Sequence, residues 1–306
     1  MKLYAPSYYK KFKCIADKCD HSCCVGWEID VDPEALEKYE NCKAPYGAEV
    51  IDSIVKDETP HFKLVGDERC PHLDENGLCK IILELGEDYL CGICREHPRF
   101  YNYTSVSEVG IGMSCTEAAR IILSSPDYAE ILCIGESSAD PDSIDFDGRA
   151  YREEMYRILA DRTQSYSSRL TEIYQRYSVN IGEDSIWLDA IDSLEYLDDS
   201  HRQLFTKYSA DCTAIGNDEY RERFLAYFIY RHVTEAFDID DLRSRLSFCL
   251  FCERLFTSLI ASENAKSLNE IATLARIISE EIEYSDDNTA ALTELAEDLN
   301  SLSRKH

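Results

Sequence analysis

Cysteines are the residues of this sequence whose type and spacing could do chemistry. Eleven of the fourteen lie within the first 133 residues. Most of them form short groups: Cys14-x4-Cys19-x3-Cys23-Cys24, Cys70-x8-Cys79, Cys91-x2-Cys94, and then Cys115. Chelation needs thiolates that converge on one point, and short spacings near tight turns achieve this at a low cost in chain entropy. Because Asp17, Asp20 and His21 surround the first group, a purely apolar packing role is disfavoured. The region is therefore predicted to bind a metal.

The spacing also bears on which metal is bound. Tetrahedral zinc sites usually show paired C-x2-4-C knuckles, and only Cys91/Cys94 has that form cleanly. Thiolates drawn from several separate segments are typical of a [4Fe–4S] cluster. The spacing favours the cluster, with a zinc or iron ion as the alternative.

Other cysteines and histidines are assigned to packing or support. Cys249 and Cys252 have a redox-like spacing but lie within the apolar run LSFCLFCERLF, which predicts core positions. The single cysteines receive the same interpretation: Cys42, Cys133 and Cys212. Three histidines near cysteines are expected to be solvated or to support a ligand: His21, His72 and His97.

Composition excludes some partners. The net charge of −27 and the lack of a basic cluster argue against nucleic acid binding and fit a cationic partner such as a lysine-bearing protein. The sequence shows neither a leader-like apolar start nor an apolar run near 18 residues, so a cytoplasmic protein without a membrane segment is expected. In a reducing compartment, dense cysteines indicate metal ligands or redox thiols rather than disulfides.

The chain is predicted to be mainly α. Residues 1–135 form a cysteine-rich, metal-binding region with a short hairpin, a turn-rich acidic stretch covers 135–148, and residues 149–306 form a helical bundle. Apolar residues at a 3.6-residue period predict helices over 150–177, 220–237 and 242–262. A last amphipathic helix carries Leu292, Leu295 and Leu299 on one stripe.

Local signals within the cysteine-rich region are sharper. Asp32-Pro33-Glu34 predicts a helix that ends near Asn41. Asn76-Gly77 predicts a tight turn that brings Cys70 near Cys79, followed by a helix over 80–85. The S-x-x-E pattern from Ser114 to Glu117 predicts a capping box with Cys115 in the first helical turn, a position that favours a thiolate.

Three segments carry a resemblance to a known family: CIADKCDHSCCVGWEIDVD, CPHLDENGLCKIILELGEDYLCGICREHPRFYN and SCTEAARIIL. They resemble the flagellin lysine-N-methylase family, which is related to a group of cysteine-rich zinc- or iron-chelating domains. The resemblance is dense over residues 1–125 and looser through RILADRTQSYSSRL and YRERFLAYFIYRHVTEAFD.

This resemblance implies an S-adenosylmethionine-dependent methyltransferase that acts on lysines of flagellin, with a [4Fe–4S] cluster involved in the transfer. The cysteines that match the family by position are Cys14, Cys19, Cys23, Cys24, Cys70, Cys79, Cys94 and Cys115. Cys91 is treated as incidental. The run Cys94-Arg95-Glu96-His97-Pro98-Arg99 matches the family's pattern and marks Arg95 and Arg99 as cofactor-contacting groups.

Neither the residues nor the resemblance assigns a catalytic side chain. No G-x-G-x-x-G motif follows a strand, so we expect the methyl donor to reach an iron of the cluster through its amino and carboxylate groups. The alternative functions are a redox or metal-handling protein and a structural zinc domain, since the thiols alone would suffice for either.

Overall fold

A computed structural model describes residues 1–66, 68–139, 146–209 and 216–303. The structure is 55% helical, which confirms a mainly α fold. The strands of the described residues are β1 Lys2–Pro6, β2 Ile54–Val55, β3 His61–Phe62, β4 Arg99–Tyr103, β5 Ser107–Ile111 and β6 Ile131–Glu136. The α-helices are α1 Pro33–Glu40, α2 Pro45–Asp52, α3 Lys80–Leu85, α4 Gly92–Glu96, α5 Thr116–Ser124, α6 Gly148–Leu159, α7 Tyr166–Tyr177, α8 Asp184–Asp192, α9 Asp199–Phe205, α10 Asp218–His232, α11 Ile239–Ser262, α12 Leu268–Glu283 and α13 Asp286–Ser303.

The chain divides into two compact units. The cysteine unit spans Lys13–Arg99, and the helical unit comprises Met1–Phe12 with Phe100–His306. The sequence prediction ended the cysteine-rich region at residue 135, whereas residues 100–139 pack within the helical unit. The acidic stretch predicted as a boundary includes residues 140–145, which lie outside the described residues.

The cysteine unit has its own small core. Its buried apolar residues are Ile29, Val31, Ala35, Tyr39, Val50, Ile54, Phe62, Leu73 and Ile81. The predicted start of α1 is confirmed, because Asp32 Oδ1 accepts the Ala35 N–H at 3.0 Å and Pro33 occupies the first helical position. The short strands β2 and β3 pair antiparallel beside this core.

The loop before α3 is held by one aspartate. Asp74 Oδ1 accepts the N–H groups of Asn76 and Leu78, each at 2.8 Å. Gly77 adopts a φ of +77°, a value that residues with a Cβ rarely adopt. The turn brings Leu73 and Cys79 into an antiparallel bridge, so the predicted hairpin-like loop is present.

The helical unit contains a sheet that the sequence analysis missed. Its strand order is β4-β5-β1-β6, with β1 parallel to β5 and antiparallel to β6. The sequence analysis predicted a mainly α chain with one short hairpin in residues 1–135, and this sheet corrects that expectation. The partners of β1 lie about a hundred residues away along the chain, and such pairing leaves no local signature in a five-residue strand.

The bundle is centred on α10 and α11. Phe224 of α10 stacks on Phe256 of α11 with ring centroids 4.1 Å apart, and Trp187 of α8 stacks on Phe251 at 4.2 Å. The helical stretch predicted over 150–177 is divided into α6 and α7 by a turn in which Asp161 accepts the Thr163 N–H at 2.9 Å. None of the helices in the described residues has the length and apolarity needed to cross a bilayer.

Candidate metal centre

Six cysteines of the cysteine unit interact with one another through their sulfur atoms. We call them the sulfur group: Cys23, Cys24, Cys70, Cys79, Cys91 and Cys94. Cys24 interacts electrostatically with Cys70 and Cys79, Cys79 with Cys91 and Cys23, and Cys94 with Cys24 and Cys70. Segments more than sixty residues apart in sequence are thus drawn to one place.

Local structure explains how each pair reaches the group. The loop held by Asp74 folds Cys79 back toward Cys70. The Cys70 N–H donates to the Cys24 carbonyl at 2.8 Å, which places Cys24 beside this pair. Cys91 is the N-cap of α4, which places Cys94 in that helix one turn later. Asp32 accepts the Gly92 N–H at 2.6 Å and so fixes the start of α4.

Backbone N–H groups point at several of these sulfurs. His72 N–H donates to Cys70, Ile81 and Ile82 donate to Cys79, and Cys94 N–H donates to Cys91. Such hydrogen bonds stabilise the thiolate over the thiol. The donors therefore suit thiolates that bind a cation.

Without a cation, the sulfurs cannot all ionise together. Burial raises the pKa of Cys70 to about 11, although the His72 N–H opposes the shift. The hydrogen bond to Cys91, followed by burial, raises the pKa of Cys94, whereas the thiol of Cys94 lowers the pKa of Cys91. A bound metal would supply the positive charge that several neighbouring thiolates need.

The distances between the cysteine sulfurs can be compared with those in a zinc site and in a [4Fe–4S] cluster. Zinc–sulfur bonds of about 2.3 Å set tetrahedral sulfurs about 3.8 Å apart. Among the described residues, no three cysteine sulfurs lie within 4.8 Å of one another. A cube places its thiolates on different irons, so they lie farther apart than the ligands of one ion. The described sulfur group therefore lacks the close spacing of three or more sulfurs that a preformed closed zinc site would show.

The first two predicted ligands lie beside this group. Cys14 is exposed and accepts the Ala16 N–H at 3.4 Å. Cys19 interacts electrostatically with both Cys14 and Cys23, and burial is the main cause that raises its pKa. These two cysteines continue the sulfur group toward the surface of the cysteine unit.

Cys115 belongs to the helical unit, where it is the N-cap of α5. The predicted capping box is wrong, because no side chain caps this helix and Glu117 instead pairs with Arg120 at 2.7 Å. Glu117 is thereby held along the helix rather than turned back to the cap. The predicted helix itself is present.

Cys91 lies within the sulfur group, although the sequence analysis treated it as incidental. Its side chain is buried, and it interacts with Cys70, Cys79 and Cys94. The C-x2-C spacing with Cys94 was the signal for it. The family pattern does not include a cysteine at position 91, so the resemblance gave this spacing no weight.

The remaining cysteines and His72 have structural environments. Cys249 and Cys252 are fully buried in the apolar core of the helical unit, as predicted. Cys212 lies outside the described residues. His72 contacts the hydroxyls of Tyr46 and Ser53 at 2.9 Å through its two ring nitrogens, and burial lowers its pKa to about 4. A neutral His72 with both nitrogens occupied supports the core beside Cys70.

Cys42 and Cys133 lie outside the sulfur group. Cys42 is half-buried near Gly47 and hydrogen-bonds with Tyr89. Cys133 is exposed on β6, and its thiol donates to the Gly135 carbonyl at 3.7 Å. The predicted core position does not hold for Cys133, because its strand carries it on the solvent side.

The two arginines of the Cys94 run differ in setting. Arg95 is exposed on α4, with Glu96 3.7 Å away. Arg99 is half-buried and donates to the carbonyls of Arg95 and Glu96 at 3.3 and 3.5 Å, so it caps the end of α4. Arg95 is the more accessible of the two to a small anionic group.

One other set of ligand-type side chains lies close together among the described residues. His201, Glu280 and Glu281 have ligand atoms within 4.8 Å of one another. Glu281 already accepts the Leu197 N–H at 2.8 Å, and Glu280 pairs with Arg276. Protein N–H groups and Arg276 already occupy these carboxylates, so the set serves as a polar contact between α9 and α12.

The sequence has relatives among known proteins. It is 27% identical over 172 residues to the flagellar biosynthetic protein FliU of Salmonella muenchen, a match that covers 53% of this chain and 93% of FliU. Proteins named lysine-N-methylase from Salmonella typhimurium (strain LT2) and Salmonella choleraesuis (strain SC-B67) are each 27% identical over 132 residues. The chain is a distant relative of the flagellin lysine-N-methylase family.

The extent of these matches is limited. The match covers 40% of this chain and 32% of each lysine-N-methylase, so the chain spans about a third of those proteins. No protein-family model matches the chain. No solved structure matches it.

Proposed function

We propose that this protein is a methyltransferase that transfers methyl groups from S-adenosylmethionine to lysine side chains of a protein substrate, with flagellin as that substrate. Similarity to proteins named lysine-N-methylase is the observation that carries this proposal. The similarity to a flagellar biosynthetic protein supports the choice of substrate. The net charge of −27 suits a lysine-bearing partner.

The sulfur group supports a [4Fe–4S] cluster as the resident cofactor. The ligands would come from five buried or half-buried cysteines: Cys24, Cys70, Cys79, Cys91 and Cys94. Each of them forms a hydrogen bond with a backbone N–H group or with a neighbouring thiol. When bound, such a cluster would supply a Lewis-acidic iron to which the amino and carboxylate groups of the methyl donor can bind. Arg95 would pair with that carboxylate.

Methyl transfer requires the protein to hold the substrate lysine in its neutral form. The lysine nitrogen must be neutral, so that its lone pair forms the N–C bond while the S–C bond of the sulfonium breaks and S-adenosylhomocysteine leaves. A desolvated, aromatic environment lowers the pKa of a lysine amine and so favours this form.

The proposal is tested on protein purified without oxygen. We expect stoichiometric iron, acid-labile sulfide and broad visible absorption, followed by methylation of flagellin lysines detected by mass spectrometry with labelled S-adenosylmethionine. Zinc without sulfide and no methyl transfer would instead indicate a structural metal protein.

Serine variants separate a catalytic cluster from a structural one. Cys70→Ser and Cys94→Ser should lose both the visible absorption and methyl transfer, while Cys252→Ser, a core substitution, should retain both. Circular dichroism must show that each variant remains folded, because metal binding and folding can be coupled. A folded variant without the cluster that methylates at the parent rate would show that the cluster is not catalytic.

A further inference from the structure

The first backbone N–H groups of helix α5 have no acceptor among the described residues. These are the N–H groups of Thr116, Glu117 and Ala118. The first backbone bond of the helix runs from the Ala119 N–H to the Cys115 carbonyl at 2.9 Å. Cys115 is the N-cap residue, and its side chain does not cap the helix. Such a helix start carries a partial positive charge at its first turn.

Burial makes these missing acceptors costly. Ala118 is 0% exposed and Thr116 is 5% exposed, so water has little access to their N–H groups. The Thr116 hydroxyl is also buried and makes no hydrogen bond within the described part of the chain. Because Thr116 is the first residue of α5, its hydroxyl lies on the same turn as the N–H groups. Buried donors are nearly always paired in folded proteins, so this group of donors indicates a missing acceptor.

The position of α5 in the fold is one that commonly holds a ligand. Strand β5 runs parallel to β1, and residues 112–115 connect the end of β5 to the start of α5. Ligands of parallel sheets bind beyond the carboxyl ends of the strands, and anions bind there at the N-terminus of the following helix. The unpaired donors of α5 lie at this end of β5.

The turn can be reached from the surface past Cys115 and Tyr284. Cys115 is half-buried, and Tyr284 is 39% exposed. The Tyr284 hydroxyl interacts with the Ser114 side chain and with the Cys115 sulfur, so both residues lie beside the start of α5. A small ligand can therefore approach the buried donors along these two side chains.

The charged side chains near this turn are paired with each other. Glu117 lies 2.7 Å from Arg120, and Glu283, which interacts with Tyr284, lies 3.3 Å from Arg231. These two pairs cancel, which leaves the positive end of the helix, equivalent to about half an elementary charge. An anion with a single charge suits this end better than one with two charges.

We propose that the start of α5 binds a carboxylate group of a small ligand. The donors are the N–H groups of Thr116, Glu117 and Ala118 together with the Thr116 hydroxyl. An ionised carboxylate offers about four acceptor positions on its two oxygens, which matches three N–H groups and one hydroxyl. None of these donors belongs to the sulfur group, and the site does not rest on the proposed function.

Anion titrations on the full chain test the site. Acetate, inorganic phosphate and chloride are compared at constant ionic strength, by calorimetry and by the midpoint of thermal unfolding. We expect acetate to bind saturably and to raise the midpoint, since a ligand of the folded state stabilises that state. Phosphate should bind more weakly than acetate. Equal effects of acetate and chloride would overturn the site, and tighter binding of phosphate would overturn its assignment to a carboxylate.

Thr116→Val removes the buried hydroxyl and keeps the shape of the side chain. Without acetate, the variant should unfold at or above the parent midpoint, because the hydroxyl has no partner to lose. Its affinity for acetate should fall about tenfold, as expected for one lost hydrogen bond to a charged group. An unchanged affinity in this variant would refute the site.

Thr234→Val is the matched control for this substitution. Thr234 is 1% exposed, but its hydroxyl donates to the Tyr230 carbonyl at 2.8 Å and accepts from Arg152 at 2.9 Å. This variant should lose stability in every buffer and keep the parent affinity for acetate. Equal losses of acetate affinity in the two valine variants would show a general structural effect and contradict the site.

A carboxylate placed at the N-cap provides a second test. In Cys115→Asp, the new side chain can accept the N–H of Glu117 or Ala118, as aspartate does at other helix starts. Relative to Cys115→Ala, we expect a midpoint higher by about 2 °C or more and the loss of acetate binding. Both variants lack the thiol, so any effect of its removal cancels between them. Acetate binding at the parent affinity in Cys115→Asp would overturn the proposal.

Discussion

The carboxylate of Asp32 connects two helix starts that lie sixty residues apart. Its Oδ1 caps α1 through the Ala35 N–H at 3.0 Å, and its Oδ2 accepts the Gly92 N–H at 2.6 Å at the start of α4. Burial opposes a charge here, but these two N–H groups hold the pKa of Asp32 below its ordinary value. Because Gly92 follows Cys91, the same carboxylate helps to position the sulfur group.

Asp32→Ala should therefore weaken both the fold and the metal centre. We expect a loss of about 1 kcal/mol in unfolding free energy from the missing cap, and more from the Gly92 N–H left without its partner. Asp32→Asn keeps one acceptor oxygen and should be intermediate. Urea unfolding and metal analysis measure the two effects. The nearby exposed residue provides the control Asp30→Ala, and equal losses in that variant would contradict a specific role for Asp32.

Cys91 should matter for metal binding although it lies outside the family pattern. Cys91→Ser replaces a buried sulfur that interacts with Cys70, Cys79 and Cys94, and we expect bound metal to fall in protein that remains folded. Cys42→Ser is the matched control in the same unit, and it should keep the parent metal content. Parent-level metal in Cys91→Ser would show that Cys91 is incidental after all.

Glu222 should make the stability of the helical unit depend on pH. Burial disfavours its charge, but Arg162, Tyr128 and Arg169 outweigh this effect and hold its pKa below the ordinary value of 4.5. The unfolded chain therefore takes up this proton more readily than the folded chain does. The stabilisation is complete above about pH 5 and is lost as the pH falls through the folded pKa.

Glu222→Gln tests this dependence. At neutral pH we expect a loss of about 1–3 kcal/mol in unfolding free energy, because two arginines lose a charged partner. Thermal or urea unfolding between about pH 3 and pH 7 should show a flatter profile for this variant than for the parent. Glu219→Gln removes an exposed glutamate of the same helix and should leave the profile unchanged. A parent-like slope in Glu222→Gln would rule out Glu222 as the source.

Glu108 and Arg152 form a buried ion pair in the helical unit. The two side chains are 0% and 1% exposed, and Arg152 donates to both oxygens of Glu108 at 2.7 and 2.8 Å. Within the described residues, Arg152→Met leaves Glu108 buried with Arg149, 3.5 Å away, as its remaining arginine, and should cost about 3 kcal/mol or more in unfolding free energy. The double variant Glu108→Leu/Arg152→Met removes both charges and should recover part of the loss. A double variant less stable than Arg152→Met would contradict this explanation.

Several elements could be predicted because their causes lie within a few residues. Asp32 and Pro33 start α1, and the turn at Asn76-Gly77 precedes α3 at the expected residue. The apolar stretches over 220–237 and 242–262 correspond to α10 and α11. Hydrogen bonds and periodicities that span three or four residues are visible in the sequence itself.

Other features escaped prediction because they arise from distant segments. Strand β1 pairs with β5 through Leu3 and Ser107, residues that no local pattern relates. Cys133 was expected in the core, yet the strand that carries it is exposed, since the face of a strand depends on what packs against it. Ser114 and Glu117 had the form of a capping box, but Arg120 provides Glu117 with a partner along the helix.

The sequence by itself therefore determined the types and approximate positions of the thiols, the helices with local caps, and the resemblance to lysine methylases. Only the tertiary structure decided that Cys91 lies among the same sulfurs as Cys70 and Cys79, and that Arg152 meets Glu108 in the core. The reason is physical: local structure depends on short-range sterics and hydrogen bonds, whereas the meeting of distant side chains depends on how whole elements pack.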